Sequence, residues 1–306
     1  MPTRKLQIVA VAVGLVVSGV ALAEELEVNI AYVPAAQAEA LTVEQPIGRL
    51  VVRAWDRAEV KIVARKRAPS SAALDRLKVN VELVDGRVRV RSGVRMAEGF
   101  RAVPAPRDSA MGIDLSIDAP RGMQVTANTW AGDLDVSGFR AGADLSSKSG
   151  AVRVSDMSGT VKSHALAGAQ HLSAIRGDVE ADGITGDLEL VSIDGQVLVA
   201  KVEHGQITAR EIRTPVVRLW ATSGGVVLVG SLRLGGRYDL GANEGDVRVE
   251  LGKPAPLTLH ASAPKGQVRL TGVAPAATLA LELDGGGPLL DLRADHGNIQ
   301  IDRPKL

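Results

Sequence analysis

The sequence predicts an all-β fold, a single-stranded β-solenoid, and three observations carry that expectation. The phrase Gly-x-apolar-x-apolar recurs as GDLDV from Gly132, GAVRV from Gly150, GDVEA from Gly177, GDLEL from Gly186 and GQVLV from Gly195. It continues as GQITA from Gly205, GGVVL from Gly224, GDVRV from Gly245, GQVRL from Gly266 and GNIQI from Gly297. Second, these glycines are 18, 27, 9, 9, 10, 19, 21, 21 and 31 residues apart, so most intervals fall near one or two units of nine or ten. Third, no helix-length segment separates the units, which excludes ordinary βαβ crossovers.

Each unit reads as one short strand and one corner. In Gly245-Asp246-Val247-Arg248-Val249, side chains alternate between faces, so Val247 and Val249 point inward and Asp246 and Arg248 outward. Glycine precedes the strand, where the chain must turn. An antiparallel meander is the competing reading, and Asp182-Gly183 and Asp194-Gly195 permit hairpins. Equal units favour the solenoid, because they place like residues above one another and stack inward Leu, Val and Ile into a continuous core. Two strands per coil of 18–21 residues predict a flattened, mainly two-sheet parallel β-helix of the right-handed kind.

In chain order, residues 1–23 read as a secretory signal peptide. Arg4 and Lys5 precede an uncharged run from Leu6 to Ala23 that ends in Ala21-Leu22-Ala23. An uncleaved anchor is the alternative, but Gly14, Ser18 and Gly19 dilute the run and Glu24-Glu25 follow it, which favours cleavage after Ala23. The protein is therefore expected in the periplasm or outside the cell, with no stable membrane span after cleavage. The chain has no cysteine, which removes disulfides, thiolate metal sites and lipid attachment through cysteine. Without residues 1–23 the balance is 34 basic against 35 acidic residues, or −1, which argues against a nucleic-acid partner.

Residues 24–122 form a more irregular β-rich region or cap. Alternation marks strands at Arg49–Arg53, Glu59–Val63, Lys78–Glu82, Arg87–Arg91 and Ile113–Ile117. Ser70–Leu77 suggests a short helix capped by Ser70 or Ser71, and Met96–Ser109 a long exposed loop. Asp118-Ala119-Pro120-Arg121-Gly122 breaks the strand pattern. Residues 123–306 are the solenoid repeats, and the looser spacing after Thr271 reads as the last coils and a C-terminal cap. A cap is required because an open end exposes unpaired strand edges.

Val43–Val52, the break Pro120-Arg121-Gly122, and the phrases Ser149–Val154 and Ser223–Leu228 resemble a bacterial β-strand-repeat family classed as candidate adhesins of unknown function. The resemblance spans nearly the whole mature chain. It implies a solenoid fold and an exported location, and it brings no catalytic residues with it.

No residue is put forward as catalytic, cofactor-binding or metal-ligating, and no cofactor is expected. His164, His171, His204, His260 and His296 have no ligand spacing. No nucleophile elbow, phosphate loop or dinucleotide fingerprint is present, and Gly285-Gly286-Gly287 reads as a turn. Asp133, Asp187 and Asp246 share the outward position after the glycine and raise the question of a bound cation. They alternate with Gln196, Gln206 and Gln267, which favours a solvated ladder. The few aromatic residues count against a sugar groove. Leu198 and Val227 fall on outward positions and suggest an apolar patch under a covering segment. The expected function is a non-enzymatic structural or adhesin-like scaffold at the bacterial cell envelope, contacting an envelope or extracellular protein or polysaccharide. A polysaccharide-active β-helix enzyme and an envelope signalling or assembly partner are the alternatives.

Overall fold

Alternating apolar residues give each short segment one apolar face, and burial of that face drives the segments into sheets. The computed structural model describes residues 11–14, 25–35, 38–96, 99–101, 111–254 and 256–304, and these are nearly all strand. The chain divides into two compact units, Met1–Arg153 and Val154–Leu306. Unit 1 contains β1 (Val11–Gly14), β2 (Glu25–Pro34), β3 (Ala40–Ile47), β4 (Leu50–Trp55) and β5 (Glu59–Ala68). Helix α1 (Ser71–Leu74), β6 (Leu77–Val84), β7 (Arg87–Met96), β8 (Gly99–Arg101) and β9 (Gly112–Pro120) follow, then β10 (Gln124–Ala131), β11 (Leu134–Ser137) and β12 (Ala143–Ser147). Strand β13 (Val152–Ser158) contains the seam.

Unit 2 continues with β14 (Val161–Ala167), β15 (Gln170–Arg176), β16 (Val179–Thr185), β17 (Leu188–Asp194) and β18 (Val197–His204). Next come β19 (Ile207–Arg210), β20 (Val216–Ser223), β21 (Val226–Gly230), β22 (Arg237–Glu244) and β23 (Val247–Leu251). The last strands are β24 (Leu257–Ser262), β25 (Val268–Leu270), β26 (Thr278–Leu283), β27 (Leu289–His296) and β28 (Ile299–Asp302).

In unit 2 all the strand pairs but the terminal β24–β26 are parallel, which decides for the solenoid over the meander. The first sheet runs β15-β17-β19-β21-β23-β28-β25 and the second β14-β16-β18-β20-β22-β27-β24-β26. Register partners Val161, Val179, Leu198, Val217 and Tyr238 are 18, 19, 19 and 21 residues apart, within the expected coil length. The core lies between the sheets. Val179, Leu198, Val217, Tyr238 and Leu290 stack from one sheet and Leu188, Ile207, Val226, Val247 and Ile299 from the other, all buried. Each buried aliphatic side chain stabilises the fold by about 1.5–3 kcal/mol.

The end of unit 2 is not built in sequence order. From β23 the chain makes β24, β25 and β26 first, then returns, so β27 lies between β22 and β24 and β28 between β23 and β25. Strand β26 runs antiparallel along β24 and alternates exposed with half-buried residues. Gly285–Gly287 lies in the turn that joins β26 to β27.

Unit 1 uses the same device. Strand β3 lies between β7 and β10, and β4 between β9 and β11, all parallel, although β7 and β9 come later in the chain than β3 and β4. The irregularity of residues 24–122 comes from β2, β5 and β6, which pair antiparallel. Pro120 ends β9, at the break the sequence marks, and Met123 N–H closes the following turn on the Pro120 carbonyl at 3.1 Å. The expected helix is the single turn α1, where Ser70 Oγ accepts from Ala73 N–H at 3.3 Å. Most of the expected loop Met96–Ser109 lies outside the described residues, but Gly99–Arg101 within it is strand β8, antiparallel to β7. Of the leader at residues 1–23, Val11–Gly14 is described and pairs antiparallel with residues 27–30 of β2; the rest lies outside the described residues. Among the described residues no helix is long and apolar enough to cross a membrane.

The recurring phrase occupies two different corners. Gly177 and Gly195 precede strands of the second sheet, and Gly195 stacks on Gly177 as Gly177 does on Gly159. Gly186, Gly205, Gly224 and Gly245 precede strands of the first sheet, each resting on the carbonyl of the glycine one coil earlier. Gly297 rests on Gly245 and Gly266 on Gly297, following the order of the stack. A Cβ on Gly245 would lie 2.5 Å from the Gly224 carbonyl carbon, and Gly245 also has φ +154°. A third bend has no glycine signal: Asp156, Ala174, Ser192 and Glu211 sit one coil apart at φ +52° to +57°. There two successive residues, as at Ser173 and Ala174, turn away from the core between buried Leu172 and Ile175.

Two substitutions should therefore move stability in opposite directions. G245A, which combines backbone overlap with a left-handed φ, should cost about 2–4 kcal/mol. A174G should gain about 1 kcal/mol by relieving the left-handed bend that alanine holds at φ +52°. A Cβ on Gly252 would meet no atom within 4 Å, so G252A is the control. Denaturant unfolding of the full chain measures all three.

Candidate functional site: corner ladders and tryptophan–cation surfaces

In a parallel ladder, successive backbone N–H groups point alternately to the coil above and below. At several glycine corners the following residue's N–H faces back to the previous coil, where the close-packed glycine backbone leaves a side chain to provide the acceptor. The predicted aspartates fill this role. Asp133 Oδ1 accepts from Ala151 N–H at 3.0 Å, Asp187 Oδ1 from Gln206 N–H at 2.9 Å, and Asp246 Oδ1 from Asn298 N–H at 2.7 Å. Asp114 accepts from Arg49 N–H at 2.9 Å, and Asn298 Oδ1 from Gln267 N–H at 3.1 Å. Where aspartate or asparagine follows the glycine, that outward position is thus a backbone cap. Among the described residues no group of three His, Cys, Asp or Glu side chains could hold a metal ion.

Asp178 also corrects the reading of Leu198. Gly195 stacks on Gly177, 18 residues earlier, but β18 pairs with β16 at Val179 and Leu198, 19 residues apart. The extra residue is taken up directly after the corner, where Asp178 Oδ1 accepts from both Gln196 N–H at 2.8 Å and Val197 N–H at 2.9 Å. One added residue flips every following side chain. Leu198 is accordingly buried in the core and Val197 is exposed, so the expected apolar patch through Leu198 does not form. Val227 does point outward and is half-buried.

The histidines are dispersed. His171 Nδ1 lies 3.0 Å from Glu189 Oε2, and His296 Nε2 lies 3.1 Å from Lys265 Nζ. His164 is in register with Asp182, His204 with Thr185 and Ser223, and His260 with Asp291.

On the outer face of the first sheet, charges of opposite sign pair across coils. In unit 1, Arg49 pairs with Asp135 at 2.7 Å and Arg153 with Asp133 at 3.0 Å. In unit 2, Glu189 pairs with Arg210 at 2.5 Å and Arg248 with Asp302 at 3.2 Å, while Arg248 also pairs along its own strand with Glu250 at 2.8 Å. The hydrogen bond from Arg153, with that from Ala151 N–H, holds the Asp133 carboxyl below its ordinary range.

The tryptophans form the second surface feature, one that counting aromatic residues missed. Trp130 and Trp220 occupy the outward phase of their strands, which their alternation with Thr129, Leu219 and Ala221 makes legible. In unit 1, Arg57 lies 5.0 Å from the Trp55 ring and Lys148 lies 4.4 Å from that of Trp130. Such cation–π contacts contribute about 0.5–1 kcal/mol at exposed sites. Trp130 lines a groove of about 290 Å³ with Glu44, Asn128 and Lys148. In unit 2, Trp220 lies over Gly241 and lines a groove of about 360 Å³ with Lys201, Arg218 and Asp239.

No family model matches the chain, so its resemblance to the β-strand-repeat family rests on the phrases quoted above. No curated protein matches it either. Among solved structures it is similar to a proposed cell adhesion protein from Clostridium sporogenes ATCC 15579, with 11% identity and TM-score 0.28, covering 92% of this chain and 100% of that one. It is also similar to a proposed adhesin from Bacteroides fragilis NCTC 9343, with 10% identity and TM-score 0.43, covering 90% of this chain and 97% of that one.

Removal of a corner acceptor has a distinct signature. D178A, which strands two N–H groups, should lower stability by about 1–2 kcal/mol. D178N should lose little, because its amide oxygen can accept as Asn298 does at its own corner; chemical denaturation separates the two. Because the Asp133 carboxyl is lowered in the folded chain, its contribution to unit 1 is fully present above the ordinary aspartate value and is lost as pH falls from there through the lowered folded value. Acid titration of unfolding should therefore show a shallower decline in D133N than in the wild type.

Proposed function

We propose that the chain is an exported, non-enzymatic solenoid that acts as an adhesin-like scaffold at the bacterial cell envelope. One observation carries this reading: the outer faces present charged and tryptophan side chains in fixed columns, one strand spacing of about 4.8 Å apart. Unit 2, for example, aligns Asp182, Lys201, Trp220, Gly241 and Arg293 along its second sheet. A column of this kind offers many weak contacts in register with a repeating partner, so that avidity comes from repetition. The acidic residues that most suggest chemistry, Asp133, Asp187 and Asp246, instead cap backbone N–H groups. Export is supported by the basic, apolar and small-residue order of residues 1–23.

Two measurements test the proposal together. The tagged full chain should fractionate outside the cytoplasmic membrane, and the purified protein should sediment with isolated cell envelopes. Retention in the cytosol, or a protein that stays in the supernatant, contradicts it.

A further inference from the structure

The outer face of the second sheet in unit 2 carries a more specific arrangement than the ladders around it. Gly241 is in register with Trp220 and has no side chain, so the indole lies against the sheet; a Cβ there would come within 2.7 Å of ring carbon Cη2 and overlap its neighbours. A ring seated on glycine is fixed in orientation and half-buried, with part of its surface lining the 360 Å³ groove. Lys201 is the register neighbour of Trp220 on the preceding coil, and Arg218 precedes it by two residues on the same face. Both cations are exposed, and among the described residues neither is held in an ion pair. Of the other arginines of unit 2, Arg210 is engaged by Glu189, Arg248 by Glu250 and Asp302, and Arg293 by Asp295. Asp239, in register with Arg218, completes the groove.

We infer that this groove binds an anionic glycan, a polymer of carboxylate-bearing sugar rings, with Trp220 as its stacking platform and Lys201 and Arg218 as its charge partners. The indole meets the apolar C–H face of a sugar ring, as aromatic side chains with a fixed face do. The two cations match the carboxylates, and Asp239 accepts from sugar hydroxyls. The column through Lys201, Trp220 and Gly241 advances by about 4.8 Å per coil, close to the rise per sugar of an extended glycan laid along it. Single-stranded nucleic acid could also stack a base on the ring, but the near-neutral charge of the chain disfavours it. The inference names the ligand of the scaffold proposed above and rests on that reading.

Affinity electrophoresis of the full chain tests it, with polygalacturonate in the gel and with dextran or single-stranded DNA in parallel gels. The wild type should be retarded by polygalacturonate and far less by the other two. W220A and K201E should each weaken that retardation by about tenfold or more. G241A, which keeps the indole but displaces it from the sheet, should do the same. Lys201 is exposed, so K201E reports on binding even if W220A perturbs folding. Equal retardation by dextran, stronger retardation by DNA, or polygalacturonate binding unchanged in both W220A and K201E would each overturn the inference. A wild-type chain that sediments with cell envelopes yet ignores polygalacturonate refutes the ligand and leaves the scaffold standing. Failure to sediment removes the scaffold reading itself.

Discussion

The close contact between glycine corners of successive coils is the constraint on which the rest of the structure depends. Where Gly224 rests on the Gly205 carbonyl and Gly245 on that of Gly224, a side chain would hold the coils apart. Contact at the corner brings the flanking strands to ladder distance, and the ladder fixes which residue lies above which. Core and surface columns both follow from that register. The left-handed φ at these positions would favour glycine in any case, but the backbone overlap is the stronger requirement, because it excludes even residues that tolerate a left-handed bend.

Packing glycine on glycine leaves an N–H to be satisfied, and this explains the residue that follows. Aspartate reaches the N–H of the next coil from Asp133, Asp178, Asp187 and Asp246, and asparagine does so from Asn298. The phrase Gly-Asp is therefore one structural device with two parts. It also absorbs irregularity: at Asp178 a single carboxylate oxygen serves two N–H groups, so a coil one residue longer is accommodated at the corner and its strand re-enters the core with Leu198 inward.

Within each unit the order of coils in space departs from the order of strands in sequence. Unit 1 interleaves β3 and β4 between later strands, and unit 2 closes by slotting β27 and β28 between earlier ones. The glycine column obeys the spatial order, with Gly297 between Gly245 and Gly266. In unit 2 this places the late strands β27 and β28 inside the ladders, paired on both sides, where fraying requires breaking two sets of hydrogen bonds. The edge beyond β24 is taken by β26, an antiparallel strand that does not offer its neighbour the parallel register of the coils.

The sequence by itself determined the class of fold, the coil length and the inward residues of most copies, because glycine spacing and period-two alternation are local properties. Val247 and Val249 needed nothing beyond their own alternation to be placed in the core. It also marked the aspartates after the glycines, but the acceptor role appears only when the next coil's N–H arrives above them. Tertiary structure alone decided the phase of β18, where an extra residue after Gly195 turns Leu198 inward, since two successive apolar residues read equally well in either phase. It decided the left-handed bend at Ala174, which no glycine announces, and the interleaving of the coils, which depends on pairings between residues far apart in the chain. And it decided the Trp220 surface, because the glycine on which the ring lies is 21 residues away in sequence and one strand away in space.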